Sequence, residues 1–278
     1  MILAAIVVFI ASFCTLVIEL VAGRVLAPYV GVSLYTWTSI IGVVLAGISG
    51  GAYAGGKLAD RRSGAAAASA AGPDRAAPLH RLLAWLLVAS GIAAMLIAPA
   101  TTMLEGLLTT YGVANTLLQR VVVLSFLLFF VPSFLLGMIS PVAVKLAVRE
   151  LDTTGSVVGK IYAVSTLGSI AGTFVTGFWL VARFGSRATL MGTGIVLIAT
   201  ALLVVELFGR YGRAAGVLML LTGIASAGMW PGALPPPHQD ALLQPVLEPG
   251  IIHSEESQYF TIRVERTIRP DTGSAMHA

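Results

Sequence analysis

The sequence predicts an all-α polytopic membrane protein of about seven transmembrane helices, and three observations carry that expectation. Apolar runs close to 20 residues long recur along the chain, the length needed to cross a hydrocarbon core of about 30 Å. Hydrophobic residues make up 57% and charged residues 11%, where a soluble domain would be roughly half apolar and a quarter charged. Lys and Arg gather between the runs, as the positive-inside rule requires. The net charge of +4 therefore belongs to loops at a lipid surface and is no nucleic-acid footprint. The bilayer is the first partner the composition implies.

The elements follow in order. Span 1 is expected from Ile2 to Val25, a retained first helix because no basic stretch precedes it. Span 2 runs from Tyr35 to Leu58, and a polar loop continues to Arg81. Within that loop AAAASAAGPDRAAP is low in complexity and reads as a flexible connection. Span 3 covers Leu82 to Ala98, with Pro99 ending it, and a short interfacial helix and turn follow around Glu105 and Asn115. Span 4 covers Leu117 to Ile139, with Pro132 inside and Pro141 beyond, each expected to kink or break the helix. Spans 5 and 6 cover Val157–Ala182 and Ala188–Leu207. Span 7, Ala214–Trp230, is the shortest. The transmembrane domain thus occupies 1–230. A proline-rich linker occupies 231–250 and cannot be helical. In 251–278, Phe260, Ile262 and Val264 alternate with Thr261, Arg263 and Glu265, which is strand periodicity; DTGSAMHA reads as a disordered end.

Orientation comes from the loops. Lys57, Arg61, Arg62, Arg75, Arg81, Lys145, Arg149, Lys160, Arg210 and Arg213 lie on one side; Arg24, Arg120, Arg183 and Arg187 lie on the other. The richer side is cytoplasmic, so the N-terminus is inside; seven crossings place the tail outside, and six would keep it inside if span 7 lies flat or re-enters.

Few residues carry chemistry. Cys14 is the single cysteine, and His80, His238, His253 and His277 share no ligand spacing, so no metal site is expected. Glu19 is the acid within a long apolar run. It reads either as a cation or proton site facing a cavity, or as the partner of Arg24 near the outer end of its helix. Arg24, Pro28, Tyr29, Tyr35 and Trp37 surround the first outer turn. Tyr and Trp suit a membrane interface, and an aromatic cluster over a carboxylate also suits an organic ammonium ion. Gly47, Gly51 and Gly55 stand at intervals of four, the spacing of a close helix contact. Gly168 and Gly172 repeat the theme in span 5, flanked by Ser165, Thr166 and Ser169, hydroxyls that ordinarily bond to their own helix. In GGKLADRRSG, Asp60, Arg61 and Arg62 can brace neighbouring helix ends.

That last motif resembles the loop between helices 2 and 3 of the major facilitator superfamily. The three blocks ELVAGRVLAPYVGVSLYTWTSIIGVVLAGISGGAYAGGKLAD, GMISPVAVKLAV and GKIYAVSTLGSIAGTFVTGFWL look like the membrane part of bacterial fused proteins that join a facilitator-like module to a spermidine synthase domain. The resemblance spans roughly residues 15 to 266, and SEESQYFTIRVER is similar to the opening strand of the synthase domain. It implies six spans arranged like one facilitator half, in a bacterial inner membrane. It also implies service to an enzyme that transfers an aminopropyl group from decarboxylated S-adenosylmethionine to putrescine. No Gly-rich nucleotide loop or amine-holding acid pair is present up to Ala278, so no cofactor and no aminopropyl transfer are expected of this chain alone. The catalytic domain would be a joined or separate partner. Two rival roles stand beside this one: a transporter or exporter half for a small organic cation such as a polyamine, working as a homodimer, and a pure membrane anchor.

Overall fold

The computed structural model describes residues 1–69, 77–111, 116–148, 154–206, 251–256, 261–268 and 275–277. Six helices make up the body: α1 (Ile2–Val30), α2 (Leu34–Ser69), α3 (Ala77–Tyr111), α4 (Leu117–Ala147), α5 (Thr154–Val175) and α6 (Val181–Glu206). A single π-helical turn, Thr176–Leu180, joins α5 to α6. Among the described residues five segments are long and apolar enough to cross a membrane: Ile2–Val30, Leu34–Gly64, Ala77–Leu108, Leu117–Ala147 and Thr154–Val204. The chain is thus a multi-pass membrane protein. The fifth segment is 51 residues long, and Gly185 breaks it at φ 72 and ψ 174. That conformation is open to glycine alone. Gly31, between α1 and α2, adopts nearly the same one, φ 73 and ψ 174. At each break a threonine closes the turn: Thr36 Oγ1 donates to the Gly31 carbonyl at 3.1 Å, and Thr189 Oγ1 to the Gly185 carbonyl at 2.6 Å.

The tightest helix pairs are α2 with α4, α1 with α5 and α3 with α6; α3 also packs extensively on α4, and α1 touches α2, α4 and α6. Small residues fasten each pair. A Cβ built on Gly47 would lie 2.8 Å from Ser133 Cβ, and one on Gly55 would lie 2.7 Å from Met138 Cα. One on Gly51 would run into the Phe134 carbonyl, and from the other side Gly137 meets Ile48 at 2.6 Å. Gly168 and Gly172 lie against the Phe9 and Phe13 carbonyls of α1, and Gly91 of α3 faces Gly194 of α6. Lipid tails are as apolar as leucine, so close backbone packing of this kind replaces the hydrophobic effect as the force between helices. α1 buries Val7, Cys14, Ile18, Val21 and Leu26 in the core, the position expected of a helix touched on several sides.

Four expectations from the sequence are corrected. Pro99 does not end the third span: α3 runs through it to Tyr111 and takes in Glu105, where a separate interfacial helix was expected. Membrane helices carry proline where neighbouring helices support them, and α3 packs on both α4 and α6. α4 runs unbroken through Pro132 and Pro141 to Ala147. α2 continues as helix past Leu58 to Ser69, because its polar end is an alanine run and alanine is the strongest helix former. Finally, Ala275–His277 is a strand paired antiparallel with Arg266–Ile268, where disorder was expected. Ile251–Glu256 and Thr261–Ile268 pair antiparallel, with Ile262 opposite Glu255 and Val264 opposite His253. Asn115, Phe260, span 7 and the proline-rich linker lie outside the described residues.

Gly51→Leu should lower stability in detergent by about 1–3 kcal/mol, the usual cost of overpacking a tight contact. Gly42→Leu is the control, since nothing lies within 4 Å of its added Cβ. Melting curves check the pair, and equal midpoints for the two variants would contradict the packing.

Candidate functional site: a hydroxyl-lined cleft

The pairs α1–α5 and α2–α4 touch each other mainly through α1 and α4. Between them lies a cleft of about 790 Å³. It is walled by Val8, Ala11, Ser12, Thr15 and Leu16 of α1 and by Ile48, Ala52, Gly56 and Asp60 of α2. Leu136, Ile139, Ser140, Val144 and Lys145 of α4, with Val158, Tyr162, Ser165 and Ser169 of α5, complete it. These stretches lie in the first half of α1, along α5 as far as Ser169, from Ile48 onward in α2 and in the second half of α4. The cleft therefore belongs to the end of the bundle that carries Lys57, Arg61, Arg62, Lys145 and Lys160. We call it the basic end.

Most of the wall is apolar, and its polar groups are neutral hydroxyls. Ser12 and Ser165 bond across the α1–α5 contact, Oγ to Oγ at 2.7 Å. Thr15 Oγ1 donates to the Ala11 carbonyl at 2.8 Å. The charged residues of the lining stand at the mouth, where Lys145 Nζ donates to Asp60 Oδ1 at 2.8 Å. Both partners are well exposed, and both sit on the one pair of helices that glycines already hold together. The bond is a brace within that pair. Arg61 and Arg62 are exposed beside it, and the partner of Asp60 is Lys145, not either of them.

Glu19 is half-buried and is not among the residues that line the cleft. It is four residues after Thr15 and three after Leu16, so it continues the face of α1 that lines the cleft. One turn further on, Gly23 is covered by the indole of Trp37, whose Cη2 stands 2.9 Å from a Cβ built on Gly23. The pairing with Arg24 is not formed: among the described residues Glu19 has no ion-pair partner. Five residues of α-helix turn the two side chains about 140° apart, which explains the failure. The aromatic residues do not gather into a cage. Trp37 covers Gly23, Tyr29 packs on the core, and Tyr35 is 65% exposed.

The chain matches no protein-family model, no curated protein and no solved structure. The site is therefore read from its own geometry.

Sequence reasoning singled out Glu19, Trp37 and Asp60 but missed Ser12, Ser140 and Lys145. A serine in an apolar span carries no signal that separates a lining position from one bonded to its own helix. Thr166 and Thr173 bond to their own helix, on the Tyr162 and Ser169 carbonyls, whereas Ser165 reaches across to α1.

Ser12→Cys with Ser165→Cys, in a Cys14→Ser background, should cross-link under mild oxidation in membranes. Ser12→Cys with Thr166→Cys should not, because Thr166 is exposed and turned away. The reverse pattern on a gel would place α5 on the wrong face of α1.

Proposed function

We propose that this chain is a membrane-embedded binding module that admits a small organic cation into the cleft, with Glu19 as the anionic group at its blind end. The observation that supports this reading is the cleft itself, a largely apolar cavity with a few convergent hydroxyls, of a size typical for small-molecule sites. An intramembrane carboxylate is costly and marks a functional position by default. Glu19 continues the lining of that cavity without an ion-pair partner among the described residues. On this reading the two arms on either side of Gly185 cross separately, which gives six spans disposed like one facilitator half. Residues 214–230 supply a seventh. The basic end is cytoplasmic, the N-terminus with it, in a bacterial inner membrane. A half of this kind needs a second copy to alternate access, so the working unit is a homodimer. The resemblance to fused spermidine synthase proteins supplies a context, in which the module serves a polyamine-related enzyme joined to it. Decarboxylated S-adenosylmethionine would then belong to that enzyme.

Ser140→Cys, in a Cys14→Ser background, tests the reading. The engineered thiol should react with a charged, water-soluble maleimide added from the basic end, and an organic amine should slow the reaction. Adding Glu19→Gln should abolish that protection without lowering expression. An inert thiol at 140 in the folded protein would leave the chain a membrane anchor with no ligand.

A further inference from the structure

We infer that the cleft selects a molecule with one cationic end and an apolar body, and discriminates against diamines and longer polyamines. The inference rests on the binding module proposed above and narrows its ligand by counting charges. The described lining holds one carboxylate, Asp60, and Glu19 follows one turn beyond Leu16 on the same face of α1. Asp60 is engaged by Lys145 at 2.8 Å, so the pair at the mouth presents no net charge to a second ammonium group.

The two carboxylates are also too far apart for one small molecule. Trp37 of α2 lies over Gly23 of α1, which sets the register between these helices. At about 1.5 Å per residue, Asp60 stands roughly 34 Å along α2 from Trp37 and Glu19 roughly 6 Å along α1 from Gly23. The separation along the bundle is therefore about 28 Å, and an extended spermidine covers less than half of it. A polyamine with one end at Glu19 would leave its remaining charges among Ile48, Leu136 and Ile139, where the polar groups are neutral hydroxyls such as Ser12 and Ser140. Hydroxyls accept hydrogen bonds from an ammonium group but do not neutralise it, and an unpaired charge at membrane depth is strongly disfavoured. A single ammonium group at Glu19 with an aryl or alkyl body along that wall meets neither penalty.

The test is titration calorimetry on the full chain in lipid nanodiscs, with phenethylamine, its neutral counterpart phenylethanol, and spermidine. Phenethylamine should bind at least about tenfold more tightly than either of the others, a difference of about 1.4 kcal/mol. Glu19→Gln should bring phenethylamine down to the level of phenylethanol while leaving phenylethanol unchanged, and Glu19→Asp should keep part of the preference. Spermidine binding as tightly as phenethylamine, with the same dependence on Glu19, would overturn the inference and leave the binding module standing. Binding of neither amine to the folded protein would overturn both.

Discussion

The architecture depends on the contact of two backbones, α2 against α4. Gly47, Gly51 and Gly55 leave no side chain between the helices, and Gly137 does the same from α4 against Ile48. At that range dispersion acts between main chains along several turns, in a solvent that offers no hydrophobic drive of its own. The fastening makes α2 and α4 one body. Gly168 and Gly172 do the same for α5 on α1, and Gly91 with Gly194 for α3 and α6. α3 also packs extensively on α4, whereas the α1–α5 pair meets α2–α4 over a smaller contact, mainly of α1 with α4. The cleft is the seam between α1–α5 and α2–α4, at the end where α1 and α5 begin.

This arrangement gives each polar residue a structural place. Ser12 and Ser165 bond inside one pair, while Asp60 and Lys145 bond inside the other. Across the mouth α5 and α2 are not packed on each other, and the two pairs meet chiefly through α1 and α4. The seam is thus bordered by two internally braced units. Glu19 follows one turn beyond the lining of the seam on α1, and Trp37 covers Gly23 one turn further on. Among the buried hydroxyls elsewhere, Ser90 bonds to the Leu86 carbonyl and Thr193 to the Thr189 carbonyl of their own helices, while Ser125 Oγ and Thr176 Oγ1 are buried without a hydrogen-bond partner in the structure.

What the sequence made legible was governed by local spacing. The multi-pass helical character follows from run length and composition. The four-residue interval of Gly47, Gly51 and Gly55 marks a contact face without naming the partner, since Gly137 stands alone in its helix. The extent of the helices was less legible. Propensity ended span 3 at Pro99, but the helix continues through it, supported by its packing against α4 and α6. The alanine run after Arg62 has a loop's lack of apolar pattern and a helix's backbone preference, and the backbone preference prevailed as far as Ser69. The site was legible only where one residue broke the chemistry of its surroundings, as Glu19 does. Lys145 pairs with Asp60 across 85 positions of sequence, and nothing local announces such a partner.

The central claim is that a ligand cation meets the Glu19 carboxylate at the blind end of the cleft. The most direct measurement is an infrared difference spectrum of the protein in bilayers, recorded with and without phenethylamine and with glutamate labelled with carbon-13. The account predicts a perturbed carboxylate stretching band that moves with the label and is absent in Glu19→Gln. Bound amine with no labelled carboxylate signal, or a signal that survives Glu19→Gln, would contradict it.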